Sequence, residues 1–333
     1  MTKLLELKSK IIQFVEKNES YVLPVVRFLV AVIAFSLINM KLGYMQRLDN
    51  LFVVLILAVL CSVLPMNATV LISALLLLMH LFALSKEVCI VAFVLMVITF
   101  FMYFRFSPKS GYHALITPIL FHFKVPYIMP IKCGLTGNPY SVISVLCGTI
   151  LYSFLKGVVV NEKILMSADS AGSTSKFIIA INQLLLDKEL FLVLAAFVIT
   201  AVIVYFIRRL PLDHAWTIAI GAGIVIQFVI LLAGKFLLGN IKDIPWLLFG
   251  MIISTLVGFV MEFFLFQLDY TRTERVQFED DAYYYYVKAV PKSLVQAKEK
   301  KITKINKRSE EQEEKMTKDS IAEELEISRD LLN

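Results

Sequence analysis

Between Tyr21 and Leu268 the chain passes through one apolar run after another, each near the roughly 20 residues a helix needs to cross bilayer hydrocarbon. Six runs are bounded by charge, proline or glycine: Tyr21–Met40, Val88–Phe106, Tyr140–Val160, Leu190–Ile207, Ala215–Leu238 and Pro245–Leu268. A further stretch, Asn50–Leu84, is broken by Leu64-Pro65-Met66-Asn67 and reads as two short spans joined by a tight turn. The pattern predicts an all-α fold, a polytopic transmembrane helix bundle of eight spans. Composition agrees, since 58% of the residues are hydrophobic and only 18% are charged.

One segment departs from the pattern. Between Gly111 and Pro139, four prolines (Pro118, Pro126, Pro130 and Pro139) each remove a backbone donor, and Lys124 sits in the middle. A straight helix is a poor fit. Two half-helices that dip in and return to the same face fit better, provided that protein or a water-filled cavity covers the irregular backbone. Lys and Arg of short loops gather on the cytosolic side. With both termini in the cytosol and this segment re-entrant, Arg105, Lys109, Lys132, Arg208 and Arg209 fall inside, while Lys41, Arg47 and Lys86 fall outside.

Charge also divides the chain. The first 268 residues hold 20 Lys/Arg and 12 Asp/Glu, and the remainder from Asp269 holds 13 and 15, so a body of +8 precedes a tail of −2. This is topology-setting charge, and the concentrated basic face that nucleic acid requires is missing. Four domains follow: an interfacial amphipathic helix at 1–20, the transmembrane domain at 21–268, a cytosolic hairpin at 269–292 and a charged tail at 293–333. Within 1–20, Leu4, Leu5, Ile11, Ile12, Phe14 and Val15 have amphipathic spacing. Between Asn161 and Lys188 a polar loop precedes Phe177, Ile178, Ile181, Leu184 and Leu185 at helical spacing, which predicts a helix on the outer surface.

Ionisable groups inside a membrane are costly and are therefore functional candidates. Arg27, Lys156, Lys235 and Glu262 lie near span ends and can snorkel to the interface. His80 lies deeper, either as a path residue or as a ring bonded to a neighbouring carbonyl. The densest cluster is His113, Thr117, His122, Lys124, Lys132 and Asn138. Beside half-helix ends, such groups are candidates to line a path for an anionic or polar solute. The bland alternative is a structural plug. Tyr103-Phe104, Arg105, Pro108 and His113-Ala114 recur in order as Tyr205-Phe206, Arg208, Pro211 and His214-Ala215, a pattern that duplication and chance explain equally well.

No GxSxG elbow, HExxH zinc helix or P-loop is present, so the expectation is a non-enzyme without a cofactor. Cys61, Cys89, Cys133 and Cys147 sit in apolar segments without metal-ligand spacing and read as small buried hydrophobes. In the tail, Val276 and Phe278 and then Tyr283, Tyr284, Tyr285 and Tyr286 have strand propensity around a Glu279-Asp280-Asp281 turn, which predicts a β-hairpin. Further on, a basic stretch at Lys298–Arg308 suits anionic headgroups, and Ser320 with Glu323 would cap an amphipathic helix containing Leu325. Phe278, the four tyrosines and Leu325 are the candidate partner-binding residues.

The run Asp269–Lys292, with Tyr103–Lys109 and Trp216–Ile220, resembles an uncharacterised multi-span membrane family of anaerobic Gram-positive bacteria. Some of its members carry the designation ABC-transporter permease. The resemblance implies a separate ATPase subunit, supplies no functional residues, and lacks an EAA-type coupling loop. Two readings of function follow. One is a permease-like component of the cell membrane with a solute path near the re-entrant segment. The other is a membrane scaffold whose tail recruits cytosolic partner proteins. The bilayer is the common partner, and a homo-oligomer is compatible with either reading.

Overall fold

The computed structural model describes residues 2–166, 173–265, 274–279 and 283–289. Residues up to Tyr270 and residues from Thr271 form two separate units. The first contains thirteen α-helices among the described residues: α1 (Thr2–Lys17), α2 (Glu19–Lys41), α3 (Leu51–Val63), α4 (Met66–Leu84), α5 (Lys86–Phe106), α6 (His113–His122), α7 (Ile128–Thr136), α8 (Val142–Val160), α9 (Glu162–Met166), α10 (Ser173–Leu185), α11 (Lys188–Ile207), α12 (Ala215–Leu238) and α13 (Ile244–Leu265).

Seven of the described helices, α2, α4, α5, α8, α11, α12 and α13, are long and apolar enough to cross a membrane. Their outward faces carry Ile90, Phe101, Val225 and Leu256 exposed, a surface that lipid rather than water solvates. This is a multi-pass helical membrane protein. The eighth anticipated span, α3, has 13 residues, a rise of about 20 Å. Its limits are chemical: the Asn50 side chain accepts from the Phe52 N–H at 3.0 Å at its start, and Leu64-Pro65 ends it.

Side-chain contacts register the helix ends. Arg27 of α2 donates to the Leu64 carbonyl at 3.2 Å, satisfying an orphan acceptor at the end of α3. Asn67 at the start of α4 donates to the Pro108 carbonyl beyond α5 at 3.4 Å. These turns share one end of the bundle with Arg105 and Lys109, here called the basic end. Lys41, Lys86, Glu87 and the 42–50 connection lie at the other, the mixed-charge end. There the fully buried His80 accepts at Nδ1 from the Met45 N–H (3.2 Å) and donates from Nε2 to Asn39 Oδ1 (3.1 Å). Asn39 in turn donates to the Leu48 carbonyl at 2.8 Å. Both ring nitrogens of His80 are therefore engaged in holding the 42–50 connection.

The proline-broken segment forms α6 and α7, which fold back on each other. Lys132 on α7 donates to the Tyr112 hydroxyl at 3.2 Å, and Cys133 Sγ lies 3.8 Å from His113 Nδ1, so the two ends of the segment are neighbours. Arg208, at the end of α11, donates to the Gly137 carbonyl at 3.1 Å, tying the outgoing end to the same basic end. Irregular backbone at this depth needs protein cover, and α7 has it: Ile128, Met129, Ile131, Cys133 and Leu135 are buried in a core shared with Val145, Phe197, Val204 and Ile220. Gly134 permits the approach, because a Cβ there would lie 2.8 Å from the Ala201 carbonyl of α11.

The helix anticipated between Asn161 and Lys188 is α10, which packs on α5 and α8. It buries Ala180, and Gln183 accepts from Asn161 at 2.7 Å. On α1, Leu4, Leu7, Ile11 and Phe14 stay exposed, while Lys8 lies over the Phe263 ring at 5.3 Å.

In the second unit two strands, β1 (Glu274–Glu279) and β2 (Tyr284–Ala289), pair antiparallel with Phe278 opposite Tyr285 and Val276 opposite Val287. Tyr283, Tyr284, Tyr285 and Tyr286 are exposed. The anticipated turn residues Asp280 and Asp281, the basic stretch at Lys298–Arg308 and the terminal helix with Leu325 lie outside the described residues.

Candidate functional site

The α6–α7 hairpin turns at Phe123–Tyr127, and Lys124 adopts a left-handed backbone with φ of 63°. A non-glycine residue pays strain for that conformation, and such strain concentrates at functional positions. α6 runs alongside α8: Gly148 lies against Ala114 and Thr117, and Phe121 stacks on Tyr152 with centroids 4.6 Å apart. The hairpin tip therefore reaches the level of Lys156, at the mixed-charge end.

Above the tip lies a cavity of about 320 Å³ whose lining includes Lys124, Tyr127, Tyr152, Ser153, Lys156 and Lys235, with Asp187, Glu189 and Asp243. It is at the small end of the range for ligand sites. Each charge has a local reason for its position. Asp187 caps α11, accepting from the Glu189 and Leu190 N–H groups at 3.1 Å with one oxygen and from the Ser153 hydroxyl at 2.7 Å with the other. Gly239, at φ of 74°, ends α12 with a left-handed cap, and the Asn240 N–H returns to the Lys235 carbonyl at 3.0 Å. This termination sets Lys235 four residues inside the helix end, only 7% exposed, with Nζ 2.7 Å from Glu189 and 3.5 Å from Asp243. Lys156, largely exposed, stands 3.9 Å from the other Glu189 oxygen.

The six clustered residues anticipated from the sequence separate into two groups. His122 and Lys124 sit at the tip. His113, Thr117, Lys132 and Asn138 sit toward the basic end, with His113 and His122 separated by the length of α6, about 15 Å. His113 is buried with Nε2 unpartnered, and Thr117 donates back to the His113 carbonyl at 2.7 Å. Lys132 stands over the Tyr112 ring at 4.6 Å, and Asn138 is exposed beyond α7. His80 belongs to the separate network holding the 42–50 connection.

Sequence reasoning missed Asp187, Glu189 and Asp243, and it treated Lys156 and Lys235 as snorkelling cations. The available signal was the charged triplet Asp187-Lys188-Glu189 at a span boundary; pairing it with a lysine 46 positions later needs the fold. Glu262, also near a span end, takes a hydrogen bond from Thr217 across α12 and α13. Among the described residues no cluster of His, Cys, Asp or Glu is arranged to hold a metal ion. The recurring motifs occupy comparable helix starts but unlike environments, because His113 is buried and His214 is exposed.

No family model, curated protein or solved structure matches this chain.

Proposed function

We propose that this chain is a permease-like transport component of the cell membrane. In this reading the charged cavity admits a small polar solute and the α6–α7 hairpin gates its passage. The observation that carries the proposal is Lys124, held in a left-handed conformation at the tip of a protein-enclosed hairpin and lining the cavity. Interrupted helices of this kind supply binding sites in transporters because their backbone ends point polar groups at the solute. The proposed topology has eight crossings with α3 as the short one, a hairpin re-entrant from the basic end, and both termini in the cytosol. Supporting eight is the contact from Arg27 to Leu64, which registers the Pro65 end of α3 with its longer neighbour α2.

The resemblance to an uncharacterised membrane family, some of whose members carry a permease designation, implies energy coupling by a separate ATPase chain, and in this proposal the protein is a non-enzymatic subunit. Lys124→Ala is expected to lower solute flux by about tenfold, the effect of losing one contact of about 1.4 kcal/mol. Proteoliposomes supplied with radiolabelled amino acids and carboxylic acids, and with any ATPase that co-purifies, measure it. Unchanged flux in a folded Lys124→Ala protein counts against the path.

The scaffold reading rests on a different observation, the exposed tyrosines Tyr283, Tyr284, Tyr285 and Tyr286 on a two-stranded ribbon. An isolated ribbon is marginal and gains stability from a partner sheet or surface. Replacing Tyr284 and Tyr286 by serine is expected to remove co-purifying cytosolic proteins from a mild-detergent pull-down. An unchanged set of partners opposes this reading.

A further inference from the structure

A second, larger cavity of about 940 Å³ opens among α2, α4, α5, α6 and α8. Its walls are almost wholly hydrocarbon, from residues such as Leu37, Val70, Ala74, Phe93, Phe100 and Leu151. Along α5 the lining runs from Phe93 to Tyr103, a rise of about 15 Å, which is half of the roughly 30 Å hydrocarbon thickness of a bilayer. An apolar space of this length and openness in a membrane is filled by an acyl chain.

The mouth of the groove is different. Lys41, His122, Lys124 and Lys156 line that end, and among the described residues no Asp or Glu lines the groove. Among the described residues neither Lys41 nor Lys124 has a carboxylate within ion-pair distance. Lys156 reaches Glu189 only at 3.9 Å and is 58% exposed at its side chain. Unbalanced lysines at a hydrocarbon boundary are costly, and an anion beside them offsets that cost. In the neighbouring charged cavity Lys235 already has Glu189 and Asp243 beside it, whereas Lys124, which lines both cavities, and Lys41, which lines the groove, carry the charge that calls for an external anion.

We infer that the groove holds one anionic phospholipid of the leaflet at the mixed-charge end, its acyl chain along α5 and α6 and its phosphate between Lys41 and Lys124. The stacked pair Phe121 and Tyr152 lines both cavities and forms part of the wall between lipid chain and solute space. The site stands whether or not the neighbouring cavity passes a solute.

Native mass spectrometry of the full detergent-purified chain, titrated with phosphatidylglycerol and with phosphatidylcholine of the same acyl chains, tests it. The native protein is expected to retain one phosphatidylglycerol with about tenfold preference over phosphatidylcholine. In Lys41→Gln/Lys124→Gln that preference should vanish, whereas Lys86→Gln, an exposed lysine at the same end outside the groove, should keep it. Ala74→Phe, which fills the groove without altering charge, should weaken both lipids together. Equal binding of the two lipids by the native chain overturns the inference. So does a preference that survives the double substitution in a folded protein or is lost in Lys86→Gln, the latter reporting general surface charge. Displacement of the lipid by millimolar inorganic phosphate also overturns it, reporting an anion site that needs no chain.

Discussion

Glu189→Ala is expected to destabilise the bundle by about 2–3 kcal/mol, a loss read as a lower midpoint of thermal unfolding in detergent. Breaking a buried ion pair by removing one partner costs about 3–5 kcal/mol because the other charge is stranded. The lower figure applies here because Glu189 is partly exposed and Asp243 remains 3.5 Å from Lys235. Lys235 itself is 7% exposed and cannot recover its hydration without distorting the end of α12. Removing both charges, as Glu189→Gln/Lys235→Met, is expected to recover most of the loss, since two neutral side chains strand nothing. A double variant as unstable as the single one would show that packing rather than charge is at stake.

The second large effect belongs to Gly250 on α13. A Cβ at that position would run into the backbone carbonyl of Lys124 and the Tyr127 ring. A carbonyl cannot rotate aside as a side chain can, and Lys124 is already confined to a left-handed conformation. Gly250→Val therefore forces either α13 or the hairpin tip to retreat, at an expected cost of about 1–3 kcal/mol for overpacking. In the transport reading it also abolishes flux, because Lys124 moves out of the cavity floor. Gly221→Ala on α12 is the matched control: its Cβ meets nothing within 4 Å, and alanine favours the helix. Equal stability of the two variants would show that the hairpin tip does not press on α13.

How much of this was legible beforehand varies with the element. α12 occupies Ala215–Leu238, the bounds anticipated from its apolar run, because His214 and Gly239 punctuate it sharply. The hairpin was visible in the density of prolines, but the breaks stand only at Pro126 and Pro139, while Pro118 lies inside α6 and Pro130 in the first turn of α7. α3 was legible as a short helix, since Asn50 and the Leu64-Pro65 break bound its 13 residues in the sequence as they do in the structure. The charged cavity was not legible at all. Its carboxylates come from the starts of α11 and α13 and its lysines from α6–α7, α8 and α12, so each looked like an ordinary boundary charge. Nor does sequence proximity measure distance: His113 and His122 are nine positions apart yet sit at opposite ends of α6.

The most direct test of a hairpin that enters and leaves at the cytosolic face with its tip in an outward-open cavity is cysteine accessibility. Cys61, Cys89, Cys133 and Cys147 are first replaced, and single cysteines are then placed at Lys124 and Asn138 in intact cells. Lys124→Cys is expected to react with a membrane-impermeant thiol reagent added outside, and Asn138→Cys only after the cells are opened. Labelling of Asn138→Cys from outside, or a Lys124→Cys that reacts from neither side, contradicts the account.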